Sequence, residues 1–113
     1  MKLIKYAVDY LSKFSSSKSN LEKILKNKIR RLKIEKNEKY LLYQSIKNII
    51  IELEKNNLLN DKKYSSAKIR SFAIQGKSKL FIKNYLFSKG VIKEIISTNL
   101  EEYDAQNPQW VDR

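Results

Sequence analysis

The chain has 113 residues, of which 24 are Lys or Arg and 12 are Asp or Glu, so its formal net charge is +12. A charge of this size predicts an anionic partner such as nucleic acid, an acidic protein surface or an anionic membrane, although a generally Lys-rich composition would also produce it. The chain has no Cys and no His. This composition excludes disulfides and thiol chemistry, and it removes the commonest general base and metal ligand.

The same composition argues against an enzyme and against a membrane protein. The acidic residues are scattered and there is no glycine-rich phosphate loop, so we expect no catalytic residue, cofactor, metal site or small-molecule substrate. No apolar run approaches the ~20 residues of a transmembrane helix. Asp9 follows the N-terminal segment too closely for a signal peptide. We therefore expect a cytoplasmic monomer that does not associate with membranes.

The first half of the chain predicts three helices. The whole sequence contains two Gly and one Pro, and its apolar residues recur at spacings of three and four, which is typical of an all-α fold. The first helix covers about residues 3–14. The second starts near Ser17 or Ser19, where Ser19 and Glu22 have the spacing of a capping box, and ends near Lys36. The third covers about residues 38–56. The expected buried residues are Leu3, Ala7, Leu11 and Phe14, then Leu21, Ile24, Leu25, Ile29 and Leu32, then Leu42, Ile46, Ile49, Ile50 and Leu53.

The second half predicts three more helices. Asn60 is a suitable N-cap for the fourth, which ends at Gly76, because glycine accepts the left-handed conformation that follows many helices. Ser78 caps the fifth helix, which ends at Lys89 and Gly90. The sixth covers about residues 92–103. The expected inner residues are Tyr64, Ala67, Ser71 and Phe72, then Phe81, Ile82, Tyr85 and Leu86, then Ile92, Ile95, Ile96, Leu100 and Tyr103.

The two halves resemble each other. Residues 15–28 align with residues 76–89, so that Leu21 and Leu25 fall on Ile82 and Leu86, and Lys28 falls on Lys89; residues 46–50 align with residues 92–96. This predicts two tandem three-helix repeats, residues 1–57 and 58–103, in an elongated curved array. Residues 104–113 would form a tail or the start of a missing third repeat. Such arrays usually contain three or more repeats, so we expect a longer parent chain.

A long series of residues in the second half has a recognisable order and spacing. It comprises Leu58, Leu59, Asn60, Asp61, Tyr64, Ala67, Arg70, Gly76, Ile82, Leu86, Lys89, Gly90 and Val91. This series resembles the central repeat of the RecX family. The N-terminal part resembles the alphaproteobacterial form of that family at residues 10–17, 20–21, 24–25 and 28–29. The resemblance covers about residues 5–103. The family usually has Asp-Asp at residues 60–61 and continues into a third repeat, and in both respects this chain departs from it.

The resemblance implies a non-enzymatic regulatory protein. Members of the family are elongated arrays of helical repeats that lie along the RecA–DNA filament and modulate, mostly by inhibition, the recombinase, ATPase and coprotease activities of RecA. The implied partners are the RecA filament and single- or double-stranded DNA. The implied roles are regulation of DNA repair, recombination and the SOS response. Two alternatives remain open: a basic helical nucleic-acid-binding protein without a RecA role, and an interaction module whose charge is incidental.

Two groups of basic residues are the predicted contacts with DNA or RecA. The first lies on the second helix and comprises Lys23, Lys26, Lys28, Arg30, Arg31 and Lys33; the second comprises Lys68, Arg70, Lys77, Lys79, Lys83 and Lys89. The first group can also be an ordinary solvated face. The second can belong to a plain helix joint, with Lys89 stabilising the end of its helix through the dipole. The family-motif positions are Leu59, Asp61, Tyr64, Ala67, Gly76, Ile82, Leu86 and Gly90. Among the aromatic residues, we expect Tyr64, Phe72, Phe81 and Tyr85 to be core, and Tyr40, Tyr43 and Phe87 to be exposed.

Overall fold

The computed structural model describes residues 2–110, and within them it contains six α-helices and no strand. The helices are α1 (Leu3–Lys13), α2 (Lys18–Arg31), α3 (Lys36–Lys55), α4 (Asp61–Ile74), α5 (Lys79–Ser88) and α6 (Lys93–Gln106). The predicted all-α class with six helices is therefore confirmed. The chain divides between Asn60 and Asp61 into two compact units, so that α1–α3 belong to the first and α4–α6 to the second. The proposed repeat boundaries at residues 57/58 and 103/104 stay predictions.

The first unit is built around α2, which packs against both α1 and α3. Apolar residues one helical turn apart form its buried face, because positions four residues apart lie on the same side of a helix. The buried core comprises Leu3, Ala7, Leu21, Leu25, Ile29, Ile46, Ile49, Ile50, Leu53 and Leu59. The predicted faces of α2 and α3 are thus largely confirmed, with Ile24, Leu32 and Leu42 only half-buried.

Three details of the first unit differ from the prediction. Ser17, not Ser19, caps α2: its hydroxyl oxygen accepts a hydrogen bond from the backbone N–H of Asn20 at 3.2 Å, so the predicted capping box is wrong. The helix also ends at Arg31 instead of Lys36. Phe14 is 56% exposed, because the backbone becomes extended there at the end of α1.

In the second unit, α6 packs along α4, and α5 contacts both. The buried apolar core comprises Tyr64, Ile69, Ile82, Leu86, Val91, Ile96 and Leu100. A polar contact reinforces the pairing of α4 with α6: the side-chain amide of Asn99, itself 5% exposed, donates a hydrogen bond to the backbone carbonyl of Lys62 at 2.8 Å. The pattern of apolar residues did not predict this contact, since Asn99 is polar.

Four predicted inner positions of the second unit are wrong. Ala67 and Ser71 are exposed, and the buried face of α4 instead contains Ser65 and Ile69, both with no exposed surface. The buried face begins at Asp61. Because two of its residues, Asp61 and Ser65, are polar, apolar spacing alone does not reveal it. Phe81 and Ile92 are also exposed, at 42% and 57%. Ile92 lies at the N-cap of α6, where the backbone is extended.

Helices α3, α4 and α5 end in the same backbone arrangement. The residue after each C-cap has a left-handed backbone: Asn57 with φ 59°, Gly76 with φ 82° and Gly90 with φ 78°. In each case the next residue donates its N–H to a carbonyl five residues earlier, at 2.9 to 3.1 Å. These are Schellman motifs. The two glycine stops confirm the prediction.

The similarity between the two halves of the sequence corresponds to a structural similarity between α2 and α5, the middle helices of the two units. Ser17 and Ser78 have the same role, since each hydroxyl oxygen accepts from a backbone N–H three residues later. Leu21 and Leu25 are fully buried, as are their counterparts Ile82 and Leu86. The third helices match less well, because α3 packs chiefly on α2 whereas α6 packs chiefly on α4.

Replacing Gly90 by Ala should destabilise the second unit by about 1–2 kcal/mol, because a Cβ clashes in the left-handed conformation. The replacement Gly90→Asn is the matched control and should cost less, since Asn tolerates this backbone, as Asn57 does here. Urea unfolding followed by the fluorescence of Trp110, the one Trp of the chain, measures both variants. Equal stability of the Ala variant and the unmodified protein would contradict the assignment.

Candidate nucleic-acid interface

The exposed side of α2 carries a compact basic surface. At 100° per residue, Lys23, Lys26 and Arg30 fall on one side of the helix, and all are exposed. Arg30 donates from Nη2 to the side-chain oxygen of Asn27 at 2.7 Å, and Arg31 donates from Nε to the Asn27 carbonyl at 3.3 Å. We call Lys23, Lys26, Arg30 and Arg31 the α2 surface. It brings four of the six predicted cations of this group together.

The other two predicted cations of the first group lie elsewhere. Lys28 is half-buried and turned toward α1, with its Nζ 5.0 Å from the ring centroid of Tyr6. Lys33 is exposed in the connection between α2 and α3. A cation that the sequence did not single out takes a place at the end of α2: the Nζ of Lys39 donates to the Arg30 carbonyl at 2.9 Å. Cations stabilise the carbonyl end of a helix, so part of this charge has a structural use.

Lysines and aromatic rings alternate where α4 meets α5. The Nζ atoms of Lys68 and Lys89 lie 5.7 and 5.5 Å from the ring centroid of Tyr85. Lys68 also lies 5.8 Å from the ring of Tyr64. Both distances to Tyr85 are within the range of cation–π attraction. Two cations from different elements therefore converge on one ring.

Phe72 extends this cluster toward the start of α5. Its ring contacts Tyr85 at 4.8 Å and Phe81 at 5.3 Å between centroids, both in edge-to-face geometry. The Nζ of Lys77 lies 5.0 Å from the Phe81 centroid. We call Lys68, Phe72, Lys77, Phe81, Tyr85 and Lys89 the α4–α5 surface. It unites three predicted cations with three rings that the sequence had assigned to the core.

The remaining three predicted cations of the second group face other directions. Lys79 pairs with Asp104 at 3.2 Å and lies 4.9 Å from the ring centroid of Trp110, on the α6 side of α5. Lys83 lines a shallow groove between α5 and α6. Arg70 is exposed, and it lies on a different side of α4 from Lys68, because two residues correspond to a turn of 200°. The second basic group is thus not one surface.

The charge of the second unit is divided between its helices. From Lys62 to Lys93 the chain has nine basic residues and no acidic one. The acidic residues that follow in the described part of the chain all lie on α6: Glu94, Glu101, Glu102 and Asp104. This acid-free stretch is a sequence signal for the α4–α5 surface, and the positions of the basic residues alone do not reveal it.

Most family-motif positions build the fold. Leu59, Asp61, Tyr64, Ile82 and Leu86 are buried, and Gly76 and Gly90 supply left-handed backbone. Ala67 is the exception, since it is exposed. Across residues 2–110, no cluster of His, Cys, Asp or Glu has the arrangement of a metal site, and no helix has the length and apolar character to span a membrane.

Replacing Lys79 by Gln should remove both the ion pair with Asp104 and the cation over Trp110, and so expose the indole ring further. We expect a red-shifted Trp110 emission and stronger quenching by iodide. Lys83→Gln is the matched control on the same helix, and it should change the emission much less, because Lys79 is the lysine that pairs with Asp104 and lies over the Trp110 ring. Identical spectra for both variants would contradict the observed packing of Trp110.

No family model matches the chain, and no solved structure does so either. Among curated proteins, the chain is similar to the Regulatory protein RecX of Myxococcus xanthus (strain DK1622), with 28% identity over 97 residues. The aligned part covers 85% of this chain and 52% of the relative, so the chain spans about half the length of the curated relative that it matches. This similarity supports the RecX family, which the residues of the central motif had also indicated.

Proposed function

We propose that the protein is a RecX-type regulator that binds the RecA–DNA filament and modulates, mostly by inhibition, the recombinase, ATPase and coprotease activities of RecA. The observation that carries this proposal is the similarity to a RecX regulatory protein over 85% of the chain. The six-helix architecture agrees with it. In this proposal the protein belongs to the alphaproteobacterial type and corresponds to two repeats of a longer array.

The proposed mechanism is binding by charge and shape, without a chemical step. The α2 surface offers two guanidinium groups, which can hold a phosphate or carboxylate in a bidentate manner that lysine cannot reproduce. Phosphate contacts of this kind provide affinity without base specificity, and they weaken steeply as salt concentration rises. A filament of RecA on DNA offers both phosphates and carboxylates to such a surface. The protein would act as a cytoplasmic monomer in the regulation of DNA repair, recombination and the SOS response.

A nucleic-acid-binding protein without a RecA role is the second candidate. The acid-free stretch from Lys62 to Lys93 favours it, since a polyanion can bind there without RecA. The two candidates differ in one measurable respect. A RecX-type regulator binds RecA-coated DNA more tightly than bare DNA, whereas the alternative shows no gain from RecA.

RecA-catalysed ATP hydrolysis on single-stranded DNA, measured at two salt concentrations, tests the proposal. We expect inhibition when the protein is present in smaller molar amounts than RecA, and weaker inhibition at the higher salt concentration. Unchanged hydrolysis with retained binding to bare DNA would favour the second candidate. Unchanged hydrolysis without DNA binding would exclude both and leave an interaction module with incidental charge.

Charge reversal at the α2 surface should weaken the inhibition. We expect the double variant Arg30→Glu/Arg31→Glu to raise the half-inhibitory concentration about tenfold or more, because two charge-assisted hydrogen bonds are lost. Lys5→Glu/Lys47→Glu is the matched control, since it changes the net charge equally at exposed positions of α1 and α3. An equal effect of both pairs would mean that net charge, not the α2 surface, governs binding.

A further inference from the structure

We propose that the α4–α5 surface binds single-stranded nucleic acid, with Phe81 stacking on an unpaired base and the surrounding lysines contacting phosphates. The inference rests on the proposed function in one respect, since it assigns the DNA strand of the filament to this surface. It makes a prediction for bare nucleic acid as well, so it can be tested without RecA.

The exposed ring of Phe81 is the first observation. Its side chain is 42% exposed, while Phe72 and Tyr85 behind it are half-buried. The edge-to-face contact between Phe72 and Phe81, at 5.3 Å between centroids, holds the exposed ring at a defined angle. An exposed, oriented aromatic ring is the element on which proteins stack single-stranded bases.

The positions of the lysines are the second observation. Lys68 and Lys89 are half-buried, and both are drawn to the ring of Tyr85. Lysines held in this way lose less conformational freedom when they bind a phosphate than freely rotating ones. Lys77 lies over Phe81 itself. Its flexible stem lets the ammonium group move from the ring to a neighbouring phosphate when a base takes its place.

The absence of acidic residues is the third observation. No Asp or Glu occurs between Lys62 and Lys93, the stretch that contains all of α5 and all of α4 after Asp61. A nucleic-acid strand laid across these two helices therefore meets cations and neutral groups alone on this stretch. Salt-dependent binding follows, with each phosphate contact contributing about 0.7 to the slope of log affinity against log salt for a single strand.

The exposed ring selects a single strand over a duplex and over an acidic peptide. The bases of a duplex are stacked inside the helix, so Phe81 would have no base to contact there. An acidic peptide would use the lysines and leave the ring without an aromatic partner. The three classes of partner can be compared directly with three probes: labelled oligothymidine of about 16 nucleotides, near the upper limit of common binding sites, a hairpin duplex of equal charge and an oligoglutamate of equal charge.

Fluorescence anisotropy of the full chain with these probes is the decisive experiment. We expect oligothymidine to bind most tightly, and Phe81→Ala to weaken its binding about 5- to 100-fold, the range found for the loss of one base–aromatic stack. Phe81→Leu should weaken it similarly, since leucine keeps the apolar volume but has no aromatic face. Phe87→Ala is the matched control: it lies on the same helix, is 73% exposed and borders the groove toward α6 instead. It should leave the affinity unchanged.

The lysines provide a second, independent measurement. Lys77→Gln should reduce the magnitude of the salt slope for oligothymidine by about 0.7, whereas Lys47→Gln, an exposed position on α3 outside the acid-free stretch, should leave it unchanged. Tighter binding of the duplex or of oligoglutamate would overturn the inference. Equal losses for Phe81→Ala and Phe87→Ala would overturn it too, provided that Trp110 fluorescence shows both variants folded.

The inference and the proposed function fail in distinguishable ways. If oligothymidine binding depends on Phe81 but RecA-catalysed ATP hydrolysis is unaffected by the protein, the α4–α5 inference stands and the RecA role falls. If the protein inhibits RecA and Phe81→Ala changes neither inhibition nor oligothymidine binding, the RecA role stands and this inference falls.

Discussion

The middle helix of each unit depends on one repeated constraint. A serine hydroxyl caps its first turn, and two branched apolar side chains one turn apart are fully buried against the neighbouring helices: Leu21 and Leu25 after Ser17, and Ile82 and Leu86 after Ser78. The cap fixes where the helix starts, and the buried pair fixes which side faces inward. Once the start and the inward side of a helix are fixed, the residues on its outward side are fixed as well. The α2 surface is such an outward side, whereas the α4–α5 surface combines residues of α5 with Lys68 and Phe72 of α4.

The lysines and arginines of this protein lie in several different environments. The residues predicted to contact DNA or RecA therefore fall into separate groups. Some cations serve the fold: Lys79 pairs with Asp104, and Lys39 contacts the last turn of α2. Others lie against aromatic rings, where the ring faces hold the ammonium groups in place. The α2 surface differs from the α4–α5 surface in having guanidinium groups and no ring. In the two proposals, the α2 surface therefore binds phosphate or carboxylate alone, and the α4–α5 surface binds a strand with unpaired bases.

The motif that resembles RecX and the surface of the protein carry different information. The motif positions that carry the resemblance are mostly buried residues or left-handed glycines, such as Ile82 and Gly90, so they specify how the second unit folds. Apart from Lys89, the surface that would contact a partner lies on residues outside that set, above all Lys77 and Phe81. A match in the motif is therefore evidence for the architecture first, and the contacts with a partner have to be established from the surface of this chain.

The sequence by itself determined the all-α class, the stops at Gly76 and Gly90, the cap at Ser78, most of the buried faces of α2 and α3, and the buried pair Ile82 and Leu86 of α5, because caps, left-handed glycines and apolar spacing act locally. Only the tertiary structure decided the buried face of α4, where Ser65 is inward and Ala67 outward. That choice depends on the close packing of α6, including the hydrogen bond from Asn99, and no local pattern encodes it. The tertiary structure likewise divided the second basic group, because the direction of each lysine depends on which rings and carboxylates the neighbouring helices bring within reach.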